Sequence, residues 1–211
     1  MKKLSWLMSV IQIKNKVSNF WRPELLASPN IPKPLHGVNP RTILGKTWWD
    51  YERQTAYAKH DYRCWACGVP KQNADYYQWL EAHEDYNINY EIGKIELKEI
   101  VALCHSCHSF IHNGRLYTIY KEGQVDKDRV MHILEHGFDI CQRNNVKPYY
   151  GAYVTWFMIC GMDVDDAIKK AKLYGWFPTI EASWDKWHLV IEGKEYYSPF
   201  KDLNEWQKYW A

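Results

Sequence analysis

Two short stretches, CWACG at Cys64–Gly68 and LCHSCHSFIH at Leu103–His112, decide the expected fold of this chain. Each contains a C-x-x-C pair, and 36 residues separate Cys67 from Cys104. Two such pairs suit one tetrahedral Zn²⁺, because each pair supplies two thiolates from a tight turn. Two disulfides, or thiols that are merely buried, are the alternatives. A zinc site closed by four sulfurs is structural, so any chemistry must come from the residues around it.

The predicted zinc ligands are the four cysteines of these pairs: Cys64, Cys67, Cys104 and Cys107. Their use for a metal favours a reducing compartment, and we expect the cytoplasm. The other two cysteines, Cys141 and Cys160, show no framework spacing and are predicted to be buried.

Histidines close to the knuckles are the candidate reactive residues. His108 and His112 are four residues apart, so on one helix their rings share a face and can share a metal ion. His83, in the stretch LEAHEDY, must reach them from another element. An apolar run, Ile100–Leu103, precedes the second knuckle, and a helix is predicted to begin near Ser106. With a first strand over residues 80–83, the segment should fold as strand, turn, strand, helix.

The succession C-x-x-C-G, L-E-x-H and L-C-x-x-C-H-x-x-x-H resembles the HNH nucleases of the ββα-metal superfamily, in the subgroup with two zinc knuckles. The resemblance implies an endonuclease that hydrolyses phosphodiester bonds, with DNA as the expected partner. It implies that His83, His108 and His112 bind one divalent ion, such as Mg²⁺ or Mn²⁺, and that Glu84 occupies the position of the general base. His105 is an alternative base if the strand register differs. By analogy, such a protein suits a bacterium, a bacteriophage or a mobile element.

Two positions depart from the family pattern. The family usually has His where this chain has Glu84, and often Asn where it has Glu99. A carboxylate in a partly buried site can still accept a proton from water, or it can bind the metal. The alternative is a zinc-containing scaffold that binds nucleic acid, a nucleotide or a protein without cleaving it. His105, Glu99 and Arg115 are the accessory candidates, and Arg115 is the expected basic residue near the metal.

Composition sets further limits on the function. The net charge is +2, so the chain lacks the strongly basic character of a protein that binds nucleic acid over its whole surface. It contains 12 Trp and 16 Tyr, which more often fill cores and interfaces than stack on bases. No apolar stretch reaches the roughly 20 residues that span a bilayer, and we expect no association with a membrane. The sequence leaves open whether the protein forms a homo-oligomer.

The expected fold class is α+β, in three parts. Residues 1–45 contain an apolar segment, helix or strand, followed by a proline-rich arm. Residues 46–120 form the zinc module, with a helix over 46–60 and an irregular, hairpin-like excursion over 84–96. Residues 121–211 form an α+β extension, with helices in 124–146 and 163–174, a hairpin around Glu192–Lys194 and a terminal helix. A break is expected at Gly137, and a helix end at Asn113–Gly114.

Overall fold

The computed structural model describes residues 21–210. This part of the chain contains seven α-helices and one four-stranded sheet. The predicted α+β class is therefore confirmed. The apolar segment expected near the N-terminus lies outside these residues. The helices are α1 (Pro40–Lys59), α2 (His105–Ile111), α3 (Asn113–Lys121), α4 (Lys127–Arg143), α5 (Tyr150–Ile159), α6 (Val164–Tyr174) and α7 (Leu203–Trp210), and the strands are β1 (Glu81–Asn89), β2 (Lys94–Leu103), β3 (His188–Ile191) and β4 (Lys194–Tyr197).

The sheet joins two hairpins in the order β1-β2-β3-β4. The β1–β2 and β3–β4 pairs are antiparallel, whereas β2 and β3 run parallel where Lys94–Glu96 pairs with His188–Val190. The predicted turn between β3 and β4 is confirmed. Glu192 and Gly193 both have positive φ, at 50° and 76°, which is the backbone of a type I′ hairpin turn.

The first hairpin is longer than the sequence predicted. The hairpin-like excursion expected over 84–96 is part of a regular antiparallel hairpin, in which β1 continues to Asn89 and β2 begins at Lys94. A bulge between Asp85 and Tyr86 shifts the register. The Asn89 side chain accepts hydrogen bonds from the backbone N–H groups of Glu91 and Ile92, which tightens the turn.

Three helix boundaries also differ from the prediction. Helix α1 begins at Pro40, six residues earlier than expected, because the Asn39 side chain caps it, and it is kinked at Gly45. Helix α4 passes through Gly137 without a break. At Asn113–Gly114, where a helix end was expected, α2 has already ended at Ile111 and α3 begins at Asn113.

Two apolar clusters hold these elements together. The larger surrounds the two C-x-x-C knuckles and packs α2 against α4, with Trp65 and Phe110 at its centre. The smaller lies under the sheet, around Ile95 and Trp187. Cys141 is buried as predicted, but the same prediction for Cys160 is wrong, because Cys160 is exposed where α5 ends. Within residues 21–210 we find no helix with the length and apolar character that crossing a membrane requires.

Candidate metal centres

The four knuckle cysteines form one cluster. Each offers a sulfur, and all four sulfurs lie within 4.8 Å of one another. The Cys67 and Cys104 sulfurs are 3.8 Å apart, which equals the spacing of about 3.8 Å between two ligands of a tetrahedral zinc with Zn–S bonds of about 2.3 Å. All six cysteines of the chain are free thiols. The cluster could therefore hold a structural metal such as zinc.

The local backbone explains why these sulfurs converge. The first knuckle closes through hydrogen bonds from Gly68 N to Cys64 O, at 2.8 Å, and from Cys64 N to Val69 O, at 2.9 Å. Gly68 has a φ of +74°, a conformation that glycine adopts without strain. In the second knuckle Cys104 caps α2, and its sulfur accepts from Cys107 N. A Trp65 N to Ala102 O hydrogen bond joins the first knuckle to the end of β2.

His132 and His136, which share helical spacing, do not form a second metal pair. His136 Nε2 lies 3.4 Å from Cys107 Sγ, so it contacts the sulfur cluster from outside. His132 Nδ1 is 2.7 Å from the hydroxyl of Tyr76. The two rings therefore have separate partners, and their helical spacing does not bring them to one metal site.

His83, His108 and His112 form the second cluster. One ring nitrogen of each lies within 4.8 Å of the others. His83 Nδ1 and His112 Nε2 are 3.2 Å apart, close to the spacing of about 3.3 Å for two nitrogens bound to one tetrahedral metal at about 2.0–2.1 Å. The hairpin places His83 beside α2 and its C-cap residue His112, so that imidazoles distant in sequence meet at one point.

Burial keeps two of these imidazoles neutral. His83 is 6% exposed, and burial, followed by the nearby His112 and His108, lowers its pKa well below the usual range. Burial, with His108 and Arg115 beside it, lowers the pKa of His112 to about 3. A neutral imidazole has the lone pair that a metal requires, so this donor set fits a divalent cation.

Glu81 supports the cluster by hydrogen-bonding His108 and its neighbour His105, and the sequence did not indicate this role. Its two carboxylate oxygens accept hydrogen bonds from His105 Nδ1 and His108 Nδ1, both at 2.7 Å. Burial acts to raise the pKa of Glu81, but these two hydrogen bonds outweigh it and lower the pKa to about 2. A neutral His108 that donates through Nδ1 has its lone pair on Nε2, where a metal can bind, and this arrangement orients many metal-binding histidines.

His105, the alternative base, has both ring nitrogens engaged. Nδ1 donates to Glu81, and Nε2 lies 3.0 Å from Arg129 Nη2, from which it accepts. Arg129 in turn lies over the rings of Tyr76 and Tyr77. This arrangement positions His105 as a support for Glu81 and leaves it no lone pair for a proton from water.

Glu84 lies in a cleft of about 620 Å³ that reaches the histidine cluster, and we call this space the Glu84 cleft. Its walls are His83, Glu84 and His112 on one side, the arm residues 28–39 on another, and Trp206 and Trp210 of α7. Burial raises the pKa of Glu84. A raised pKa makes the carboxylate a stronger proton acceptor.

The other two accessory candidates lie in different surroundings. Glu99 forms ion pairs with Arg22, at 2.5 Å, and with Lys59, at 3.4 Å, on the strand position opposite Asp85. Arg115 is exposed one turn after His112 and lines a second cleft that also contains His112. Arg115 is thus the accessory residue that lies beside the histidine cluster, whereas Glu99 helps to attach Arg22 to the hairpin.

No protein-family model, curated protein or solved structure matches this chain. The resemblance to HNH nucleases therefore stays a prediction from motifs, and the chemistry of the site is argued from its own geometry.

Proposed function

We propose that this protein is a metal-dependent endonuclease of the HNH type, which hydrolyses phosphodiester bonds of DNA. The observation that carries the proposal is the convergence of His83, His108 and His112 beside the four-cysteine cluster. Three imidazole ligands leave coordination positions open, which is typical of a catalytic rather than a structural site. Free thiols in the knuckles agree with a reducing compartment such as the cytoplasm.

Each residue near the cluster has a distinct part in the proposed reaction. A bound divalent ion, Mg²⁺ or Mn²⁺, would polarise the scissile phosphate and stabilise charge on the leaving oxygen. His83, His108 and His112 hold it, and Glu81 orients His108. Glu84 accepts the proton of the attacking water, and burial, which raises its pKa, makes it a stronger proton acceptor. Arg115 offers positive charge to the flanking phosphate.

A second candidate function is binding without cleavage. Glu84 replaces the usual histidine of the family, and Glu99 is engaged by Arg22 and Lys59 instead of facing the histidine cluster. A carboxylate beside a phosphate repels it unless a cation lies between them. A metal titration separates the two functions. A nuclease should take a weaker divalent ion in addition to zinc, whereas a scaffold should bind zinc alone.

Plasmid nicking in the presence of Mg²⁺ or Mn²⁺ tests the proposal. We expect His83→Ala and His112→Ala to abolish nicking while the zinc content and the circular dichroism spectrum stay unchanged. Glu84→Gln should lower the rate about 10²–10⁴-fold, as loss of a general base does. His188→Ala is the matched control, since its ring contacts the Lys186 carbonyl and lies outside both clefts. Equal nicking by the wild type and the His83 and His112 variants would overturn the assignment.

A further inference from the structure

A second cleft also meets the histidine cluster, at His112. It encloses about 680 Å³, and it shares His112 with the Glu84 cleft. The arm residues Asn30 and Ile31 line both spaces. We call this space the Tyr90 cleft. The side chains that give it chemical character are Tyr90, Tyr149, Trp184, Lys33, Arg115 and Glu181.

The Tyr90 hydroxyl is the feature that points to a ligand. It is buried and has no hydrogen-bond partner among residues 21–210. A buried polar group without a partner is costly and rare in folded proteins. Neighbouring contacts fix its position, because the ring packs edge-on against Trp187 at 5.7 Å and the Tyr90 carbonyl accepts from Ala182 N at 2.7 Å. The hydroxyl is held in place with both its donor and its acceptor unused.

The remaining groups of the cleft suit an anionic aromatic ligand. Tyr90, Tyr149 and Trp184 are aromatic residues of the lining, and a nucleobase can stack on aromatic rings. Lys33 and Arg115 can pair with a phosphate, and Arg115 lies three residues from the metal-cluster residue His112. Glu181 is the single acid of the lining, and a carboxylate there can accept from the amino group of a base.

We propose that the Tyr90 cleft holds one unpaired nucleotide of the substrate, next to the phosphate that the histidine site would cleave. This inference rests on the proposed nuclease function. A base inside a duplex has both faces covered by its neighbours, so only an unpaired or extruded base can enter a concave aromatic site. The cleft thereby selects DNA that carries a bulged or unpaired nucleotide over fully paired DNA.

The test compares a fluorescent duplex containing one unpaired nucleotide with its fully paired counterpart. Binding is measured by anisotropy with zinc-loaded protein and no other divalent ion, and cleavage is measured after Mg²⁺ is added. We expect the wild type to bind the duplex with the unpaired nucleotide about tenfold more tightly than the paired one, which is the contribution of one stacked base. Trp184→Ala should remove this preference, and Tyr90→Phe should reduce it about fivefold, the value of one hydrogen bond.

Two controls keep the test decisive. Trp184 Nε1 donates to the Phe200 carbonyl, so Trp184→Ala could fail to fold, whereas Tyr90→Phe removes a hydroxyl with no partner among the described residues. Tyr51→Phe, at a ring that is 69% exposed and outside the cleft, should leave the preference unchanged.

The possible results separate this proposal from the nuclease proposal. Cleavage of both duplexes with equal binding, unaffected by Tyr90→Phe, would overturn the nucleotide site and leave the nuclease. Selective binding that Tyr90→Phe weakens, with cleavage of neither duplex, would support the nucleotide site and overturn the nuclease. Equal binding together with no cleavage would overturn both.

Discussion

Glu81 is the residue on which the geometry of the histidine cluster depends most. It lies two positions before His83 on β1, and successive residues of a strand alternate between faces, so Glu81 and His83 share one face. The L-E-x-H stretch contained this information, since a carboxylate two residues from a strand histidine is placed to support it. The partners themselves could not be predicted, because they depend on how α2 packs against the hairpin.

Replacing Glu81 by Gln should weaken divalent-ion binding at the histidine cluster about 10–100-fold, the usual effect of losing a supporting carboxylate. The neutral amide removes the charge that holds the Nδ1–H tautomer of His108. Calorimetric titration of zinc-loaded protein with Mn²⁺ measures the change. Glu99→Gln is the matched control, because its partners are Arg22 and Lys59. If both variants bind Mn²⁺ like the wild type, Glu81 does not orient a ligand.

At the scale of elements, local sequence predicted which helices and strands exist better than where they end. The turn at Glu192–Gly193 and the helix over Val164–Tyr174 follow from residues within the elements themselves, since Asp163 caps that helix and two acids fill its first turn. The break predicted at Gly137 is wrong, because tertiary packing, and not a helix end, requires a glycine there. A Cβ built there would lie 2.1 Å from Phe110 Cδ2, so the glycine permits α4 to approach α2.

Gly137→Ala should therefore destabilise the protein by about 1–3 kcal/mol, the usual cost of overpacking a core, despite the better helix propensity of alanine. Gly114→Ala is the matched control in α3, because a Cβ there would meet no heavy atom within 4 Å among the described residues. We expect its free energy of unfolding to stay unchanged or to rise slightly. Urea denaturation of both variants measures the difference. Equal stabilities would mean that Phe110 moves aside at no cost.

Helix α7 is attached to the arm through His36 and should respond to pH. None of its residues is buried, and Trp206 Nε1 donates to His36 Nδ1 at 3.2 Å, while His36 Nε2 lies 3.0 Å from the Ile31 carbonyl. Burial, with Lys33 nearby, lowers the pKa of His36. A lowered pKa means that the detached form binds the proton more readily, so docking is intact at neutral pH and weakens as the pH falls below about 6.5.

The indole N–H resonance of Trp206, assigned with Trp206→Phe, reports this docking by NMR. We expect its chemical shift to move toward that of an exposed indole between pH 7.5 and pH 5.5 in the wild type, because protonated His36 cannot accept through Nδ1. In His36→Gln the same shift should not depend on pH over this range. An identical pH response in both proteins would assign the change to another group.

At the scale of the whole molecule, the four-cysteine cluster connects the parts that form both clefts. It ties the knuckle after α1 to the end of β2 and the start of α2, and β2 also pairs with β3 of the second hairpin. Sequence spacing could indicate this cluster because cysteine ligands are chemically distinctive and lie in fixed C-x-x-C pairs. The parallel β2–β3 pairing had no such signal, since strand partners 94 residues apart, such as Lys94 and His188, are selected by packing.

Removal of zinc should open the knuckles and the histidine cluster before it unfolds the α4–α5 region. In zinc-loaded protein, iodoacetamide should label Cys160, the exposed thiol, and spare Cys141, whose pKa burial raises to about 12. After chelation the four knuckle cysteines should react as well, because zinc binding of this kind contributes about 10–16 kcal/mol to folding in small zinc modules. Intact-mass measurement counts the labels, and Cys160→Ser should remove the single label of the zinc-loaded state.

The reactivity of Cys141 after chelation then distinguishes local from global unfolding. Cys141 lies on α4, which packs against α2 through Phe110 and Gly137, so its thiol stays protected only while that contact persists. We expect five labels, with Cys141 spared, and a circular dichroism spectrum that retains most of its helical signal. Six labels would mean that the metal holds the whole molecule together. A single label with and without chelator would mean that the knuckle sulfurs are protected by burial alone, and the proposed zinc site would be wrong.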